Sequence, residues 1–227
     1  MARRAVCPPV LRHALAVLGL TGSLGVASCG QTMTTSGQVS VPQVQADTLA
    51  TVAKRIYRQE THGAVGHAAV KRIARDHALL AAVRAGDRPA LRAAALRQLF
   101  NPGKHVVRLS VVRGTRTLTN VGGAFVVAPA RLELHTAGGA PLATLEASMQ
   151  DVVGYVKLVH RLTGADIVVR GRPGHVESSL ATPPATLPAS GAATVGGRPR
   201  VVRSFQEVGF AGEPLTVSIL VSGSSGG

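Results

Sequence analysis

The chain has no tryptophan, only two tyrosines and four phenylalanines, and an aromatic share of 3% across 227 residues. Base-stacking platforms, which need rings set among basic side chains, are therefore missing, and nucleic acid is excluded as a partner. Acid is scarce as well. Eleven Asp and Glu stand against 25 Lys and Arg, and no two carboxylates fall at a spacing that nominates an acid and base pair. Cysteine occurs twice, at Cys7 and Cys29, too rarely for a disulfide framework. There is no HExxH, no phosphate-binding glycine loop and no GxGxxG. A literal GxSxG at residues 223–227 matches by spacing alone, because a nucleophile elbow needs a strand before it and a helix after it. His62 and His67 lie five apart around two glycines, on different sides of any helix, and no further Cys or His pair completes a metal site, so they read as solvated. Nothing nominates a catalytic residue, a cofactor or a metal, and an enzyme is not expected.

What is present is enough for a core. The apolar share is 45%, and Val, Leu and Ala must fill the space that aromatics usually take. Lysine occupies only four positions, so the basic excess is almost entirely arginine. The 13 prolines and 26 glycines follow no period, which excludes collagen.

The first thirty residues carry a targeting pattern. Arg3, Arg4 and Arg12 precede an uncharged stretch from Ala14 to Ala27. As a helix that stretch would span about 21 Å, short of a hydrocarbon core of about 30 Å, and Gly19, Gly22 and Gly25 dilute it. It ends Val26-Ala27-Ser28-Cys29-Gly30, which resembles the lipobox of bacterial lipoproteins. The resemblance implies cleavage before Cys29, acylation of its thiol, and anchoring to membrane lipid on the extracytoplasmic face; two or more acyl chains hold where one does not. A plain cleaved signal peptide followed by a chance cysteine is the alternative. Cleavage would remove Cys7, leaving Cys29 without an intramolecular partner, and would leave the remainder strongly basic. An anionic lipid or wall polymer suits such a surface.

Residues 1–28 thus form the signal peptide, 29–45 a flexible Thr, Ser, Gly and Gln tether, 46–221 a folded domain and 222–227 a flexible tail. Leu49, Val52 and Ile56, with Ala53 and Tyr57, predict a helix from near Asp47 to Gly63. Ala69, Ile73, Leu80 and Val83 predict a second, ending at Gly86. Asp87 and Pro89 open a third, with Leu91, Ala95 and Leu99, that stops at Asn101-Pro102-Gly103. Strands follow at 105–113, 125–128, 131–135 and 141–150, the last two joined through Gly138-Gly139. Asp151 caps an amphipathic helix with Val152, Tyr155, Val156 and Val159 on one side, ending at Gly164. Strands at 166–170 and 175–180, a loop over 181–197, and strands at 200–208 and 214–221 complete the order. Helices followed by strands, with one helix inserted, define an α+β class with N-terminal helices packed on an antiparallel sheet.

From Pro141 to Leu180 the succession of PLATLEASMQD, YVKLVHRLTGADIVVR and a strand ending Glu177-Ser178-Ser179-Leu180 resembles a Cache domain, the extracytoplasmic relative of PAS domains. The resemblance implies a PAS-like sheet carrying a pocket for an organic acid or amino acid, and a partner such as a membrane receptor or kinase. Strand alternation supplies candidates. Glu146, Ser148 and Gln150 share one face of their strand, and Arg108, Arg203 and Ser218 lie on others. Tyr155 sits on the inserted helix. An arginine here would suit a small anionic ligand, since its fork makes two charge-assisted hydrogen bonds to a planar carboxylate. A polar face turned to water, and Tyr155 as a core residue, are the alternatives. The competing role is an envelope interaction protein holding anionic polymer or lipid on arginine-rich helices.

Expressed in a bacterium, the wild-type chain is expected to carry an acyl mass on Cys29 and to fractionate with membranes, and Cys29→Ala to release it; membrane attachment unchanged in Cys29→Ala would overturn the lipobox assignment.

Overall fold

The computed structural model describes residues 40–101 and 105–223; Cys29, the signal segment and most of the expected tether lie outside them. The first helix, α1 (Val41–His62), starts six residues before the expected Asp47. Pro42 is suited to a first helical turn, where its missing N–H is no loss, so the stretch expected as tether already winds at its end. Its buried stripe is Ala46, Ala50, Ala53, Tyr57 and Thr61. Leu49 and Ile56 only flank that stripe, and Val52 is exposed. Three alanines at helical spacing let the helix lie close to what it covers, which a stripe of Leu, Val and Ile would prevent.

Gly63 ends α1, because a Cβ there would stand 2.2 Å from the Gln59 carbonyl oxygen. Then come α2 (Ala64–Ile73), α3 (His77–Ala85) and α4 (Arg88–Leu99). The single helix expected across Ile73 and Val83 is two, because Asp76 starts a new one. Its Oδ1 accepts the Leu79 N–H at 2.9 Å and its Oδ2 accepts the buried Gln98 side-chain amide at 2.6 Å. Asp87 caps α4 in the same way, accepting the Ala90 N–H at 3.0 Å.

These three short helices cover one face of an antiparallel sheet of β1 (Arg108–Arg113), β2 (Arg116–Gly122), β3 (Ala130–His135) and β4 (Pro141–Ser148), ordered β2-β1-β4-β3. Leu109, Val111, Leu134 and Leu145 form the floor of that core, packed under Ile73, Leu79 and Leu91. Strand β2 escaped the sequence reading because Thr and Arg dominate it. Residues 125–128, expected as a strand, are instead a buried connector making single bridges, Val126 to Asp151 and Val127 to Gly209.

Asp151 accepts the Gly154 N–H at 2.7 Å and opens α5 (Val152–Thr163), which ends at Gly164 in the left-handed region, as expected. A second antiparallel sheet follows, of β5 (Asp166–Arg170), β6 (Val176–Ser178), β7 (Ser190–Val195), β8 (Arg198–Val208) and β9 (Pro214–Ser222), ordered β6-β5-β9-β8-β7. The α+β class with antiparallel pairing and one inserted helix is as expected, while the strands divide between two sheets. The 181–197 loop contains β7, turned into β8 by Gly196 and Gly197 at φ +58° and +73°, the geometry of a two-residue hairpin. Ser222, expected in the tail, ends β9 opposite Arg200.

Helices α1 and α5 cover one face of this second sheet with Tyr57, Val152, Tyr155 and Val159 over Ile167, Leu215, Val217 and Ile219. Leu180 and Leu187 cover Val168, Val202 and Leu220 on the other. Among the described residues no helix is long and apolar enough to cross a membrane.

Of the three acidic caps, Asp76 and Asp87 are expected to stabilise unequally. Asp87→Ala loses a cap, about 1 kcal/mol, while Asp76→Ala also strands the Gln98 amide and is expected to cost about 2 kcal/mol in urea unfolding. Equal losses would show that the bond to Gln98 contributes nothing.

Candidate functional site

The seven residues named from strand alternation and from the inserted helix do not converge. Tyr155 is fully buried, and its hydroxyl donates to the Ala53 carbonyl at 2.9 Å; it is a core residue. Ser148 is buried and donates to the Val127 carbonyl at 2.7 Å, fastening the connector to β4. Ser218 is buried and shares a 2.8 Å hydrogen bond with Ser204 inside the second sheet. Arg203 stands on the face toward α1 and pairs with Asp47 at 3.0 Å. Glu146 is taken by Arg131 of the neighbouring strand at 2.8 Å. Gln150 lies at the start of α5, beside Gly154 and Lys157. Arg108, Glu146 and Ser148 share the first sheet, and Arg203 and Ser218 point to opposite faces of the second, so no single face collects them.

The structure instead opens a cavity of about 450 Å³ where the end of α1, the start of α2, the connector and the end of β8 meet. Tyr57, His62, His67, Arg131 and Glu207 line it. Tyr57 forms its inner wall: the hydroxyl donates to the Val208 carbonyl at 2.8 Å and accepts the Ala128 N–H at 3.2 Å. Its ring meets Tyr155 edge to face, with centroids 5.3 Å apart at 88°. The His67 ring nitrogen Nδ1 lies 3.1 Å from the Gly63 carbonyl; donation to that acceptor leaves Nε2 as a free acceptor. The two histidines expected to be merely solvated thus stand at one opening.

Glu207 gives the cavity its chemistry. One of its carboxylate oxygens, Oε1, is buried and has no hydrogen-bond partner among the described residues. A buried acceptor left unmade costs about 1–3 kcal/mol, which a ligand bringing an N–H or O–H would recover. The sequence held a signal for it: in β8, Arg203, Phe205 and Glu207 alternate onto the face that α1 covers, and a carboxylate there lies against a core. Reading that strand only for its arginine passed over Glu207. Among the described residues no group of three His, Cys, Asp or Glu gathers as metal ligands.

Both tyrosine hydroxyls are held protonated well above the ordinary tyrosine range. For Tyr57, burial is the main cause, the Ala128 N–H opposes it, and the Glu207 charge adds to it. For Tyr155, burial again leads, followed by Tyr57 and Glu207.

No family model matches the chain, and no curated protein matches it. Solved structures do share the arrangement. The periplasmic domain of Vibrio cholerae LuxQ is 13% identical with a TM-score of 0.47, over 80% of this chain and 100% of that one. The ligand-binding domain of the Pseudomonas aeruginosa amino acid chemoreceptor PctB, in complex with L-Arg, is 11% identical with a TM-score of 0.38, over 79% and 94%. That of the Pseudomonas fluorescens chemoreceptor CtaA, in complex with L-alanine, is 11% identical with a TM-score of 0.32, over 80% and 93%. Scores below 0.5 carry no weight for what this chain does, and its own residues must decide.

The tyrosines yield a clean test, because the chain has only these two. Their folded pKa values lie above the unfolded value near 10, so their contribution is present below about pH 10 and is lost as pH rises beyond it. Resistance to urea is expected to fall above about pH 10, with tyrosinate absorbance appearing only as the protein unfolds. Ionisation of either tyrosine in the folded protein near pH 10 would overturn the assignment.

Proposed function

We propose that this chain is a non-catalytic, extracytoplasmic sensor module of the Cache type, lipid-anchored through Cys29, that binds a small polar molecule in the cavity beside Glu207 and signals through a membrane partner. The observation that carries the proposal is the unpartnered Glu207 oxygen in the wall of a cavity bounded by α1, the connector and β8. A donor brought to that oxygen supplies the missing hydrogen bond, so binding energy is available to alter how those three elements sit. Tyr57 is bonded to two of them and belongs to the third.

A second role has its own support. In α2, α3 and α4, Asp76 and Asp87 are the only acids on or between the helices, and both serve as caps, while Lys71, Arg75, Arg84, Arg88, Arg92 and Arg97 are exposed. None of these six forms an ion pair among the described residues. This face favours association with an anionic polymer or lipid surface.

The discriminating experiment is a thermal-shift panel of amino acids, organic acids, sugars and nucleotides on the full chain at two salt concentrations, with Glu207→Gln in parallel. A ligand at a hundredfold excess over its Kd stabilises by about 2.7 kcal/mol, a shift of several degrees. The expected result is a saturable shift from one donor-bearing class that persists at high salt and weakens in Glu207→Gln. Silence across the panel, together with polymer or vesicle association abolished by salt, would overturn the sensor reading in favour of the second role.

A further inference from the structure

A smaller cavity of about 240 Å³ lies where the two sheets meet, lined by Arg108, Ala124, Arg172 and the segment from Phe210 to Pro214. Arg108 comes from β1, Arg172 from the turn between β5 and β6, and Phe210 from the connection between β8 and β9. The Arg108 guanidinium is fixed on three sides. Its Nε donates to the Asn120 Oδ1 at 3.0 Å, its Nη1 donates to the Ala124 carbonyl at 3.0 Å, and its plane lies 4.5 Å over the Phe210 ring. Nη2 has no hydrogen bond among the described residues.

The carboxylate nearest to hand is already committed. Oε1 of Glu213 accepts the Arg172 backbone N–H at 2.9 Å and stands 2.8 Å from the His175 Nδ1. The His175 ring is held against Phe125, with centroids 4.7 Å apart. A Cβ at position 171 would fall 2.1 Å from the same oxygen, so the turn accommodates Glu213 only because Gly171 is there. Turned toward His175, Glu213 makes no ion pair with either arginine, and among the described residues no other carboxylate lies within 4.0 Å of Arg108 or Arg172. Two guanidinium groups therefore share one cavity with a single carboxylate, Glu213, which is bonded to neither guanidinium, while the Arg172 Nε lies 3.4 Å from the His175 Nε2. The charge on Arg108 is disfavoured first by its burial and next by Arg172, and Glu213 and then Glu146 offset this only in part.

We infer that a small carboxylate binds between Arg108 and Arg172 and ties the first sheet to the second. Two positive groups and one committed negative group leave a single excess positive charge, which matches a monoanion. A planar carboxylate can take the free edge of one guanidinium and an N–H of the other, and Phe210 with Pro214 offers an apolar wall to its aliphatic part. This site rests on none of the residues of the Glu207 cavity.

The test is calorimetric titration of the full chain with acetate, propionate, succinate and inorganic phosphate, ionic strength being held with chloride, for wild type, Arg172→Gln, Arg108→Gln and Glu207→Gln. The Arg172 side chain is exposed, so its replacement leaves folding intact even where loss of Arg108 does not. Saturable binding of the monocarboxylates is expected, weakened at least about tenfold in Arg172→Gln and unchanged in Glu207→Gln. No saturable binding of any carboxylate, wild-type binding in Arg172→Gln, or loss confined to Glu207→Gln would each overturn the inference. Phosphate binding as tightly as acetate would overturn its assignment to a carboxylate.

Discussion

The Tyr57 hydroxyl is the point on which the rest of the fold turns. A phenol on a helix whose buried stripe is otherwise mostly alanine reaches two backbone groups distant in sequence, the carbonyl of Val208 and the N–H of Ala128. Each belongs to a segment that cannot satisfy itself: one is the last residue of β8, the other lies in a connector outside both sheets. Buried backbone groups need partners, and here one side chain supplies two of them. Tyr155 packs edge-on against that ring and returns its own hydroxyl to α1 through Ala53. A chain with almost no aromatic residues has placed both of its tyrosines together in the middle of the structure.

Much of this architecture was legible in the sequence where local chemistry dictates it. Asp87, Asp151 and Gly164 mark helix ends because side-chain oxygens cap orphan N–H groups and glycine accepts a left-handed turn, and neither depends on distant contacts. The apolar side of α5 was equally plain, since Val152, Tyr155, Val156 and Val159 repeat at helical spacing. Long-range facts were not legible. That Ala46, Ala50 and Ala53 face the core while Val52 faces water depends on how closely a sheet approaches, which local hydropathy does not encode. That the strands form two sheets depends on a connector whose FVVA sequence has the composition of a strand but pairs at single positions.

The candidate sites follow the same division. Alternation correctly separated the faces of β4 and β8, yet it could not say what lies above each face. Ser148 and Ser218 are polar residues consumed by the fold, and Arg203 and Glu146 are neutralised by partners on α1 and β3. Among the described residues, buried polar atoms without partners occur at Glu207 and also at Arg72 and Arg200, while Arg108 and Arg172 meet where elements of both sheets come together. The sequence separates Arg108 from Arg172 by sixty-four positions, and only the meeting of the two sheets makes them neighbours.

Helix α1 also has a mechanical meaning. Twenty-two residues at about 1.5 Å each make a rod about 33 Å long, with Tyr57 toward one end and Val41 at the other. From Tyr57 back to Val41 is about 24 Å of stiff lever at the same rise per residue. By that geometry a tilt of about 5° pivoting at the tyrosine would displace the far tip by about 2 Å. Ala46, Ala50 and the ion pair from Asp47 to Arg203 hold that half of the rod on the second sheet, so it could not swing without taking β8 along or parting from it.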